Sequence, residues 1–328
     1  MNNTTLYGLT VLIWGSTFFA IEFQLGLVSP EVSLVYRYSA AACLLFCWSW
    51  FRGLPLRFAA RHHLSFMLLG LLLFGLNYIL TYYSQIHITS ALAAIAFSSM
   101  VWMNIINSRI FFGVKAGRNV LFGALLGVVG MYLLFAPQIA ELSFDDAVFF
   151  GSCLALLGAL TASFGNMVSQ AIQKADIPVV QSNAWGMLYG ALFMGAVALA
   201  NGREFTFEWS AAYVGSLAYL AVFGSIVAFG AYLTLLGRIG AHKAGYAMVM
   251  FPVVALLLST LFEGLEFTTM TFVGTALVLA GNAFVLRSRH TAAARLLSRS
   301  SSPPQSPEHT DGGRVSAEAR ARTEAGST

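Results

Sequence analysis

Long apolar runs separated by short charged clusters dominate this chain. Asp, Glu, Lys and Arg are absent from residues 1–21, 62–108, 119–140, 147–173, 177–202, 209–237, 244–262 and 267–286. A helix needs about 20 apolar residues to cross the hydrocarbon core of a bilayer. Most gaps therefore predict one spanning helix, and 62–108 predicts two, with a turn near Gln85 and His87. A further span over 32–51 is interrupted by Arg37. The pattern predicts an all-α integral membrane protein with ten transmembrane helices.

The runs repeat. Gly123 and Gly130 in the fifth span and Gly274 and Gly281 in the tenth are both seven apart, and the pairs differ by 151 residues. The same offset places Val101 on Pro252, Gly113 on Gly264 and Ala94 on Gly245, so it holds over two helices and their hinge. Pro30 and Pro178, which open spans 2 and 7, differ by 148, and that offset places Trp14 on Ala162, Glu22 on Gln170 and Arg37 on Trp185. The predicted halves are 1–136 and 147–287. Each holds five spans, an odd number, so the second must enter the membrane from the opposite side. An inverted repeat of this kind places a ligand site near mid-membrane between the halves and moves by alternating access.

Composition agrees with a membrane class: charged residues make up 10% of the chain and apolar residues 58%, against about 25% charged in soluble domains. The net charge of +4 reflects topology rather than nucleic-acid binding. With the N-terminus inside, the inner loops and span ends hold Arg52, Arg57, Arg61, Arg109, Lys115, Arg118, Lys174, Arg238 and Lys243, and the outer loops hold Arg203. The positive-inside rule then puts both termini in the cytoplasm. Met1 to Thr5 lacks the basic start of a cleavable signal, so span 1 is expected to remain in the mature protein. Cys43, Cys47 and Cys153 fall within spans at spacings that fit no metal site, and are expected to be small apolar side chains. Residues 288–328, rich in Ser, Pro, Arg and Glu, are expected to be a disordered cytoplasmic tail.

Several segments resemble one family. WGSTFFAIEF in span 1, SPEVSLVYRYSAA in span 2, LNYILTYYSQIHITSALAAI across spans 3 and 4, IGAHKAGYAMVMFPVVALLLSTLFEG in span 9 and GTALVLAGNAFVL in span 10 are similar to EamA-type transporters of the drug/metabolite transporter superfamily. The resemblance covers about residues 6–287. It implies a multi-pass transporter of the bacterial inner (plasma) membrane, with spans 4 and 9 contributing to a central pocket. One departure is Val101, where the family often has a proline; the counterpart Pro252 is kept.

Glu22 and Arg37 are the ionised side chains well inside spans. A rise of 1.5 Å per residue puts Glu22 about 25 Å along span 1 and Arg37 about 9 Å below the outer end of span 2. Both lie in the outer third, and their opposite signs predict an ion pair. The plainer alternatives are an interfacial Glu22 and a structural Arg37; the sharper ones are a proton-exchanging Glu22 or an Arg37 facing the cavity. On span 4, Phe97, Met100, Asn104 and Asn107 share a face, and Asn104 is either interhelical glue or cavity lining. Trp14, Tyr78 and Tyr82, Asn166 and Gln170, Trp185, and Tyr246 with Met248 complete the expected pathway. Mid-membrane aromatics with a polar edge suit an amphipathic organic solute.

Two function classes remain. The first is a secondary transporter of small organic metabolites, amino-acid-like or amphipathic, acting as an exporter; with no phosphate-binding loop, any drive must come from a gradient or from the solute itself. The second is a membrane sensor signalling through the tail. HExxH, GxSxG and paired His and carboxylate are absent from the spans, so no enzyme, metal or cofactor is expected. The expected partners are the solute and the lipid bilayer, not nucleic acid, with the protein a monomer or homodimer.

Overall fold

The computed structural model describes residues 1–140, 146–251, 253–254, 269–270, 272–281 and 283–285. Every element among them is helical. Helix α1 runs over Asn3–Glu22, with the Asn2 side chain capping the Thr5 amide at 2.8 Å. Helix α2, Pro30–Phe51, opens on a proline whose missing N–H costs nothing at that position. Helix α3, Ala60–His87, passes through Gln85 and ends at His87. The turn comes at Ile88 and Thr89, whose hydroxyl accepts from the Leu92 amide and starts α4. Helix α4 is interrupted at Ser99, running over Ser90–Ser98 and then Met100–Phe112. It closes on Gly113 at φ 67°, a left-handed conformation that glycine adopts without a side-chain clash.

Helices α5, Arg118–Ala140, and α6, Asp146–Lys174, continue the chain. Next come α7, Val179–Ala200, and α8, Ala211–Ile239. Helix α9 begins as Ala241–Ala244 and continues as a 3₁₀ stretch over Gly245–Met250. Helix α10 covers Phe272–Val285. Among the described residues, α1, α2, α3, α6, α7 and α8 are each long and apolar enough to cross a membrane. Large apolar side chains such as Leu12, Trp50, Phe150, Leu192 and Leu199 face outward, as lipid contact requires. Pro252, Gly264, Asn282, the acidic residues 141, 145, 263 and 266, and the expected tail lie outside the described residues.

Packing runs largely between the first five helices and the rest. Helix α2 lies along α7, α3 against α6 and α7, α1 against α8, and α4 against α6 and α9. Glycines allow the closest approaches. A β-carbon at Gly123 would fall 2.6 Å from the Gly281 carbonyl oxygen, one at Gly281 would fall 2.6 Å from the Gly123 carbonyl oxygen, and one at Gly130 would fall 2.7 Å from that of Gly274. The two glycine pairs of the repeat therefore touch, backbone to backbone, where α5 crosses α10.

Two helices are locally widened. Gly70–Leu76 in α3 and Leu220–Val227 in α8 are π-helical, 150 residues apart at their starts. A π stretch takes up an extra residue within an α-helix and frequently marks a functional site. Both lie immediately before residues that face the central cavity.

Candidate functional site

A cavity of ≈ 40 Å³ sits inside the bundle. Trp14, Thr17, Phe18 and Ile21 come to it from α1, and Leu73, Asn77, Tyr78 and Thr81 from α3. Helices α4, α6, α8 and α9 add Phe97 and Met100, Ala162 and Asn166, Phe229 and Tyr232, and Met248 and Phe251. Among the described residues, helices α2, α5, α7 and α10 contribute none. The wall is a mesh of aromatic rings. Trp14 meets Phe229 edge-on at 4.6 Å, Tyr232 at 5.0 Å and Phe251 at 5.8 Å, while Phe18 meets Phe97 at 5.6 Å. The Trp14 indole N–H donates to the Gly224 carbonyl at 3.0 Å, which fixes the ring inside the widened part of α8.

Beneath the rings lies a layer of amides. Asn104 Oδ1 accepts from Ser163 Oγ at 2.8 Å and from Asn166 Nδ2 at 3.3 Å. Asn107 donates to Ser163 at 2.9 Å, and Asn166 also donates to the Tyr232 hydroxyl at 3.0 Å. This layer joins α4, α6 and α8. It leaves Asn166 Oδ1 without a hydrogen bond, and Asn77, which donates to the Leu73 carbonyl at 3.2 Å, leaves its own Oδ1 in the same state. Buried polar atoms are nearly always satisfied. Asn77 and Asn166 both line the aromatic cavity, and each keeps a buried, unpaired acceptor for an N–H or O–H group of a guest that reaches past the rings.

Arg37 lies on α2, beyond Tyr78, and is fully buried. Its Nε donates to Ser225 Oγ at 3.0 Å, and Ser225 in turn donates to the Leu220 carbonyl at 2.9 Å. The guanidinium carbon stands 4.5 Å from the Tyr78 ring centre and 5.2 Å from that of Tyr38. Near the α1–α2 turn, Glu31 is 1% exposed and accepts from the Tyr83 hydroxyl at 2.7 Å; Arg203 Nε stands 3.6 Å away. Arg203 also donates to the Tyr83 hydroxyl at 3.2 Å. This cluster ties α2 and α3 to the loop after α7.

The profile of the EamA-like transporter family matches the chain twice, over residues 5–136 and 149–287. The chain belongs to the EamA-like transporter family. This EamA-like transporter is 29% identical over 251 residues to the uncharacterised inner membrane transporter YedA of Escherichia coli, covering 76% of this chain and 79% of that one. It is 25% identical over 274 residues to the uncharacterised transporter YoaV of Bacillus subtilis, covering 82% and 91% respectively. A solved crystal structure shares its fold, with a TM-score of 0.70 at 17% identity over 92% of this chain and 99% of the other. The protein is thus a multi-pass membrane transporter.

The cavity of this EamA-like transporter gathers Trp14, Tyr78, Phe97, Met100, Asn166 and Met248 from the residues singled out in the sequence. Asn104 stands behind the wall, in the amide layer. Tyr82 is fully buried beside Arg37 rather than on the cavity. Gln170 Oε1 accepts from the Ala241 amide at 3.2 Å, pinning α6 to the start of α9. Trp185 packs on His63 and Phe46 at 4.6 and 5.0 Å and donates to the Leu56 carbonyl, at the far end of the bundle from the α1–α2 turn. The Tyr246 hydroxyl donates to the Gly123 carbonyl where α5 meets α10.

The expected Glu22–Arg37 pair is corrected. Glu22 is exposed at the end of α1, Arg37 is wholly buried, and no ion pair joins them. The expected pairing fails because α1 turns Glu22 outward while α2 turns Arg37 toward α8. The partner that burial gives Arg37 is a hydroxyl and two ring faces. Sequence reasoning passed over Asn77 and Thr81, though their spacing of four beside Tyr78 marks one polar face of α3. It also passed over Phe229 and Tyr232, which lie among many similar aromatics in an apolar run and carry no distinguishing signal.

Proposed function

We propose that this protein is a secondary transporter of the inner membrane that exports small organic solutes, amino-acid-like or amphipathic, by alternating access through the central cavity. The observation that carries this reading is the cavity itself: buried, ringed by aromatics, lined by two asparagines that each keep an unpaired acceptor, and built from helices of both halves. The halves are 1–136 and 147–287, related as an inverted repeat of two five-helix units with both termini cytoplasmic. Support comes from the matched π stretches in α3 and α8, the reciprocal glycine contact of α5 with α10, and the irregularities at Ser99 and at Gly245–Met250. The last two coincide under the offset of 151.

Size decides the conformational state. A buried water occupies about 10–15 Å³ by this measure, so 40 Å³ holds a few waters, whereas small-molecule sites span roughly 300–1,000 Å³. The cavity must widen several-fold to admit a solute. The π stretches and the break at Ser99 supply the places where α3, α8 and α4 can yield. Solute binding selects the widened states, and a gradient sets the direction.

Everted membrane vesicles offered an extract of small metabolites test the reading. Vesicles carrying the protein should accumulate a set of aromatic amphiphiles, and those carrying Asn166→Leu at equal abundance should not. Identical contents in both would refute it. Single cysteines at Lys115 and Arg203 should label from opposite sides; labelling of both from outside would refute the topology.

A further inference from the structure

Arg37 has a capacity that nothing in the fold uses. Its Nε is committed to Ser225, but NH1 and NH2 make no hydrogen bond, and neither do the hydroxyls of Tyr38 and Tyr82. Tyr82 lies beside the guanidinium without the geometry of a bond to it. A guanidinium presents five N–H donors in a planar fork, so four remain open, next to two open phenol groups. The Arg203–Glu31 bridge is the ion pair among the described residues, and it does not involve Arg37. A fully buried cation without an anion is costly, and structures retain one where it meets a charged ligand.

The position is also informative. Tyr78 lines the aromatic cavity and also carries the guanidinium over its ring face. On the other side, a β-carbon at Gly224 would fall 3.3 Å from Arg37 NH2 and 3.1 Å from Cγ2 of Thr17, a cavity residue. The Gly224 carbonyl is the one held by Trp14. One ring and one glycine therefore separate the open donors from the cavity, and both sit at the widened part of a helix: Gly224 within the π stretch of α8, and Tyr78 just past that of α3.

We propose that Arg37, with the hydroxyls of Tyr38 and Tyr82, is the subsite for a carboxylate on the transported solute, and that Tyr78 is the partition that moves aside as the cavity widens. This rests on the proposed transport function and narrows it: the solute is an organic acid or zwitterion with an apolar, ring-bearing body. The fork geometry of the guanidinium favours a planar carboxylate held through two parallel bonds over a spherical anion. The solute's anionic head then points toward the α1–α2 turn and its apolar body toward the amide layer.

The test uses the full chain in lipid nanodiscs and three probes with one ring and different heads: phenylacetate, phenylacetamide and phenethylamine. Binding is read by quenching of tryptophan fluorescence and by the shift in thermal unfolding. The wild type should bind phenylacetate at least about tenfold more tightly than the isosteric amide, the discrimination expected of a charged polar site against an analogue that lacks the matching group. Arg37→Gln should abolish that preference, and Arg37→Lys, which keeps the charge but not the fork, should retain part of it. Should Arg37→Gln fail to fold, Tyr82→Phe and Ser225→Ala keep the charge and should each lower the preference; an unchanged preference in both overturns the proposal. Equal binding of acid and amide by the wild type overturns the subsite alone and leaves the cavity standing. If none of the three probes binds, the subsite falls together with the proposed function. If sodium chloride alone reproduces the Arg37-dependent thermal shift and phenylacetate adds nothing, the anion is a counter-ion rather than the solute's head, and the proposal is overturned.

Discussion

The cluster around Glu31 should hold the cavity shut on the side of the α1–α2 turn. Tyr83→Phe removes one hydroxyl and nothing else. The lost bond is charge-assisted, 2.7 Å long, and ends on a carboxylate that is 1% exposed. Bonds of that kind contribute about 1.5–3 kcal/mol. The bond joins α2 to α3, and Asn201 and Arg203 extend the cluster beyond α7, so this energy is present while α2 and α3 stay together on that side and absent when they part. With each 1.4 kcal/mol worth about a factor of ten, Tyr83→Phe should raise the population open on that side by roughly 10- to 100-fold. Arg203→Gln should do less, because its half-exposed side chain is screened by water and salt. The readout is the labelling rate of Thr81→Cys, a buried cavity residue, by an impermeant maleimide, with Cys43, Cys47 and Cys153 replaced by alanine. Because Tyr83 and Arg203 share Glu31 and bond to each other, the double variant should fall short of the product of the single effects. An unchanged labelling rate in Tyr83→Phe, or a double variant that simply multiplies, would refute this account of the cluster.

Three further outcomes are expected. Gly281→Ala should lower the thermal midpoint in detergent by an amount equivalent to about 1–3 kcal/mol, because its methyl would meet the Gly123 carbonyl; Leu125→Ala, at a position 53% exposed on the lipid side, should stay within about 0.5 kcal/mol. Asn104→Ala should cost about 1–3 kcal/mol by leaving Ser163 and Asn166 short of their acceptor, and a midpoint equal to the wild type's would contradict the amide layer. Deleting Leu72 removes the extra residue and should return α3 to regular α geometry with Asn77, Tyr78 and Thr81 still on the cavity; the protein should still insert but, with α3 unable to yield, transport nothing, and retained transport would deny the π stretch a role.

Charge-free gaps located the helices because a bilayer penalises charge wherever it falls, and that penalty is written directly in composition. Rotation about the helix axis is not written there. Packing against α8 decides that Arg37 turns inward, while Glu22 faces outward. The amphipathic cue that fixes rotation in soluble helices is weak where lipid and core are both apolar. The face shared by Phe97, Met100 and Asn104 was read as continuous, but α4 breaks at Ser99, so Phe97 and Met100 reach the cavity while Asn104 falls behind it. The π stretches left no trace: GLLLFGL and LAVFGSIV are ordinary apolar runs, and the extra residue in each is accommodated by the neighbouring helices rather than demanded by proline. Glycine spacing was legible because only glycine lets two backbones touch.

That touching surface is symmetric. Gly123 meets Gly281 and Gly130 meets Gly274, while the repeat equates Gly123 with Gly274 and Gly130 with Gly281. Exchanging α5 for α10 therefore maps the contact onto itself, which is the rule for an isologous interface between identical subunits. Two identical units carrying this helix would pair through the seam with no surface beyond small residues on both sides. Here α5 and α10 are separate stretches of one chain, so a substitution on one can be answered on the other, a freedom that a homodimer with one sequence for both faces lacks.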